Sequence, residues 1–78
     1  MSVRATAASL RNEQPVLEAA DLLLLERLSY GTTDEMIGWE MRLTVEAVRE
    51  RIDAVASTLG ARNREHAVAI ALKTGLIR

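Results

Sequence analysis

The sequence predicts an all-α domain of four helices whose middle pair forms a helix-turn-helix, and three observations lead there. Apolar residues recur at intervals of three and four, most clearly Val45, Val48, Ile52, Val55 and Leu59, which share one face of a helix. Thr33, Thr44 and Asn63 stand where N-cap residues stand, and Gly75 follows the last periodic segment, where a left-handed turn ends a helix. Between the two helices of the central stretch, Gly31 to Leu59, only Arg42 and Leu43 are left to make the turn.

Taken in order, residues 1–15 read as a flexible N-terminal arm and residues 16–78 as the folded domain. The segment from Met1 to Gln14 lacks clean periodicity, and Pro15 biases Gln14 away from helix. Val3, Ala7 and Leu10 have helical spacing and leave open a short helix docked on the domain. The first helix is expected from Glu18 to Ser29, with Leu24, Leu25 and Leu28 facing the core. Asp21 in its first turn suits the positive end of the helix dipole. Leu22 and Leu23 admit two readings. Either the helix is slightly rotated or covered by the arm, or the pair forms a docking surface for another protein.

The second helix is expected from Asp34 to Met41, capped by Thr33, with Ile37 and Met41 turned inward at i, i+4. Trp39, the single tryptophan, falls beside that buried row. It is expected to lap over the core edge, the alternative being a partner contact. Gly38 lies inside this helix, where glycine costs about 1 kcal/mol of propensity against alanine. Leu43 is the expected apolar plug between the two helices.

Thr44 caps the third helix, whose polar face is Glu46, Arg49, Glu50 and Asp53. That face has hydrogen-bonding groups that suit base edges, and it also resembles any solvated surface helix, with Arg49 and Asp53 able to pair at i, i+4. The fourth helix is expected from Arg64 to Thr74. Ala67, Ile70 and Ala71 can close the core, while Val68 and Leu72 form a second stripe that calls for a second partner. Leu76 and Ile77 would pack back on the core or extend that interface.

Composition narrows the function classes. A chain of 78 residues is one small domain, near the size at which a single core is marginal unless well packed or helped by a partner. It has no cysteine, which excludes disulfides and zinc-thiolate sites and fits a reducing compartment. The run from Leu22 to Leu25 is far too short to span a membrane, and the N-terminus lacks the apolar stretch of a secretory signal, so a cytoplasmic protein is expected. The sole histidine, His66, has no nucleophile or carboxylate cluster near it in sequence, and the isolated glycines make no phosphate loop. No enzyme and no cofactor are expected.

Leu17, Leu24, Leu25, Leu28, Gly31, Ile37, Met41, Leu43, Thr44, Val48, Val55, Leu59, Gly60, Arg62, Asn63, Arg64, Ala67, Val68, Gly75 and Leu76 together form an ordered, gap-free pattern. This pattern resembles the DNA-binding domain of LuxR-type regulators over about four fifths of the chain, most closely in the tail LGARNREHAVAIALKTGLI. The resemblance implies a four-helix fold, double-stranded DNA as partner and a homodimer formed through the last helix at Val68 and Leu72. It implies base contacts from Arg49, Glu50 and Asp53, with Glu46 one turn earlier. Phosphate contacts would come from Arg51, Thr33, Thr44, Arg62 and Arg64.

Several positions depart from the family pattern. Leu22 and Leu23 replace charged residues, Arg27 an apolar one, Met36 a glutamate, Gly38 an alanine, Arg42 a glycine and Arg51 a residue that is commonly histidine. At Arg42 a left-handed backbone would cost about 1 kcal/mol. Charge also bears on the reading. The net charge is −1, although residues 42–78 carry seven basic and four acidic side chains against three and seven in residues 1–41, a dipolar layout that leaves one side free to face DNA. The expectation is a standalone dimeric transcriptional regulator. The competing one, kept alive by the acidic third helix, is a protein-interaction module that binds a regulator or the transcription machinery through Leu22, Leu23 and Trp39.

Overall fold

A computed structural model describes residues 17–78, so the expected arm and the helix at Val3, Ala7 and Leu10 lie outside the described residues. The described chain is all-helical, with α1 at Ala19–Ser29, α2 at Asp34–Met41, α3 at Val45–Leu59 and α4 at Arg64–Lys73. None of these helices is long and apolar enough to cross a membrane.

The caps explain the boundaries. Thr33 accepts from the Met36 amide at 3.1 Å, Thr44 from Ala47 at 3.0 Å and Asn63 from His66 at 2.8 Å, each satisfying an amide that the first helical turn leaves free. At the start of α1 the Asp21 carboxylate reaches back to the Glu18 amide at 3.0 Å, which is more specific than the dipole effect expected of it. Helix α3 ends at Gly60 in a left-handed conformation, and α4 ends at Thr74 with Gly75 at φ +79.

Helix α3 is the hub, packing against α1, α2 and α4, while α1 also packs on α4. Its stripe of Val48, Ile52, Val55 and Ala56 meets Leu24 and Leu25 of α1, Ile37 of α2, Ala67 and Ala71 of α4, and Ile77 beyond it, in one buried cluster. Leu28, Met41, Leu43, Leu59 and Val68 close its edges. Small Ala67 and Ala71 bring α4 close to its neighbours, and Ile77 folds back as the apolar lid that the tail was expected to supply.

Trp39 does not lap over the core edge. It is 82% exposed, because at 100° per residue it lies on the side of α2 away from Ile37 and Met41. Of the pair Leu22 and Leu23, Leu22 is half-buried and Leu23 is exposed. Ile70 is half-buried and stands outside the core cluster that Ala67 and Ala71 complete. Val68 packs partly against the core, which leaves Leu72, 47% exposed, and Leu76 as the apolar residues on the outside of the C-terminal end.

The turn between α2 and α3 explains two of the departures. Arg42 adopts φ 60, ψ 46, the left-handed region in which a side chain is strained. Gly38 is more than a weak helix former. A β-carbon there would stand 2.6 Å from the Leu43 carbonyl oxygen and 3.5 Å from Val48, so its absence lets the turn close against α2.

Candidate nucleic-acid interface

The outer face of α3 follows from its buried stripe. With Val48, Ile52 and Val55 inward, the helical repeat turns Glu46, Glu50, Asp53 and Ser57 outward, and all four are exposed. Arg49 lies on the flank of this face and Arg51 on the opposite flank, so the two arginines do not share a direction. The centre of the face is therefore acidic, and its only cation sits at the border.

That cation is held by a neighbour far away in sequence. Arg49 donates from Nε to Asp34 Oδ2 at 3.2 Å rather than pairing with Asp53, the partner that an i, i+4 spacing made available on its own helix. Asp34, the first residue of α2, also receives Arg64 through two bonds, from Nη1 to Oδ1 at 2.6 Å and from Nη2 to Oδ2 at 3.0 Å. One carboxylate thus joins α2, α3 and α4. The Arg64 bond above all, with Arg49 assisting, holds the Asp34 carboxyl below its ordinary value although burial opposes this, and the same bond raises the Arg64 guanidinium.

Arg51 is engaged as well. Its Nε donates to Asp21 at 3.1 Å and its Nη2 to Glu18 at 3.4 Å, both at the start of α1, beside an open groove lined by Leu17, Leu43, Ala47 and Glu50. Both Arg51 and Arg64, expected to meet phosphates, already meet carboxylates in the folded chain. Arg62 is exposed, and its backbone amide donates to His66 Nδ1 at 3.0 Å, which makes His66 a cap for the loop before α4. Thr33 and Thr44 use their hydroxyl oxygens as cap acceptors, which leaves each O–H free to donate.

Sequence reasoning missed Asp34 and the pair formed by Arg27 Nε and Glu40 at 2.9 Å, which ties α1 to α2. In the sequence Asp34 stands only as the first residue of the second helix. The only signal was that a short, capped helix placed it opposite arginines fifteen and thirty positions further on. A separate surface lies on α2, where Met36 and Trp39, one turn apart and both exposed, form an apolar patch beside Thr33 and Glu35.

Comparisons with protein-family models, with curated proteins and with solved structures gave no match for this chain.

Proposed function

We propose that this chain is a LuxR-type helix-turn-helix domain that binds double-stranded DNA as a homodimer and regulates transcription. The observation that carries this reading is the pairing of α2 and α3 across a turn of three residues, the last of them the α3 cap Thr44, with the outer face of α3 uncovered by any described element. A helix presented this way fits a major groove. Arg49 then reads a base edge, Glu50 and Asp53 accept from cytosine amino groups, and Arg62, Thr33 and Thr44 meet phosphates.

The charge of the face sets the test. Three carboxylates in the negative potential of a duplex weaken binding to any sequence. Replacing Glu50 with Gln and Asp53 with Asn should therefore strengthen binding to genomic fragments in a low-salt gel shift. Absence of any shift with both the native and the neutralised protein rejects DNA as the partner.

The acidic face and the exposed Met36 and Trp39 favour one second reading, a protein-interaction module that keeps the helix-turn-helix shape and binds a regulator or the transcription machinery. It takes over if no duplex binds while changes at Trp39 or Leu23 abolish capture of a protein partner.

A further inference from the structure

The three residues at the junction of α2, α3 and α4 are not equivalent in what they leave free. Arg64 spends both terminal nitrogens on Asp34, whereas Arg49 spends only Nε. The Nη1 and Nη2 groups of Arg49 have no partner among the described residues, and its side chain is 58% exposed against 11% for Asp34. A guanidinium tethered through Nε is restrained in direction and still offers two parallel N–H groups outward. Guanine O6 and N7 accept that pair of donors.

We propose that Asp34 is the specificity-determining residue of the interface, a positioning residue that holds Arg49 as a guanine reader while Arg64 braces the carboxylate from behind. The inference rests on the DNA-binding reading and goes beyond it by naming the base that is read and the side chain that aims the reader.

Two physical effects act in the same direction. An arginine free in solvent loses rotamer freedom on docking, whereas Arg49 has already given up much of it in the folded chain. Asp34 also cancels one of two positive charges at this corner, and Arg64 spends both terminal nitrogens on it instead of on phosphates. Sequence-independent attraction falls while the base contact survives. The arrangement favours discrimination at the expense of general affinity.

The test uses a randomised duplex library, selected at low salt with the native protein, Asp34→Asn and Arg49→Ala, each checked for helix content by circular dichroism. The native protein should enrich sites with an invariant guanine that Arg49→Ala no longer requires. Asp34→Asn should reduce the preference for that guanine by about tenfold while binding unselected duplex more tightly, with a salt dependence steeper by about one to two counterions. A purely structural tie would lower thermal stability and leave base preference and salt slope unchanged, and that outcome overturns the proposal.

If Asp34→Asn loses its helix content, Asp34→Glu serves in its place, because it keeps the charge and moves the carboxylate by one methylene. It should lose guanine preference at an unchanged salt slope, and full retention of the preference again overturns the proposal. Lack of enrichment by the native protein would reject the DNA reading itself, a result distinct from enrichment that Asp34→Asn leaves untouched.

Discussion

Gly38 and Leu43 approach so closely that the Leu43 amide donates to the Gly38 carbonyl at 2.8 Å, while the Leu43 carbonyl oxygen occupies the space a side chain at Gly38 would need. Helix propensity alone says that Gly38→Ala should stabilise α2 by about 1 kcal/mol. The blocking atom belongs to the backbone, so the turn must shift, and overpacking of this kind costs about 1 to 3 kcal/mol. Urea unfolding should therefore show Gly38→Ala to be less stable than the native chain. A stability gain would mean that the turn yields easily.

Arg42 holds the opposite kind of strain. At φ 60 its side chain sits in the region where glycine is at ease, and its guanidinium has no ion-pair partner among the described residues to lose. Arg42→Gly should raise stability by about 0.5 to 1 kcal/mol, read as a higher urea midpoint at unchanged slope. An equal or lower midpoint would mean that glycine's extra freedom in the unfolded chain outweighs the relieved strain.

The Asp34 carboxyl has a folded-state pKa below its ordinary value of 3.8, caused first by the Arg64 hydrogen bond. A depressed carboxyl contributes stability that is fully present above its unfolded value and lost as pH falls through the folded one. Asp34→Asn should therefore be less stable than the native protein at about pH 7, and the gap should close below about pH 4. A gap of the same size at neutral and acid pH would assign the loss to packing instead of charge.

Leu72 and Leu76 lie exposed at the C-terminal end, and Val68 one turn earlier is already partly committed to the core. If this end of α4 meets a second copy, the native chain sediments as a dimer and Leu72→Glu as a monomer, because a carboxylate would enter the seam. One monomeric mass for both proteins removes α4 as the interface.

The elements and their ends were legible in the amino-acid order because they depend on neighbours within a turn or two. Thr33, Thr44 and Asn63 cap the helices expected of them, and Val48, Ile52 and Val55 form the inward stripe that their spacing implies. Trp39 was legible in the same way. The same helical period that turns Ile37 and Met41 inward turns Trp39 outward, so its place next to Gly38 in sequence is no place at the core edge in the helix.

The partners of the arginines were decided by tertiary structure alone. Residue order offered Arg49 only neighbours on its own helix, such as Asp53. The crossing of α2, α3 and α4 brought it Asp34 instead, and the packing of α1 on α3 gave Asp21 and Glu18 to Arg51. Charge pairs form wherever folding brings long side chains within reach, and sequence separation places no limit on that reach. A helical period can therefore say which residues turn outward, while which of them keeps free donors at the surface is a property of the assembled helices.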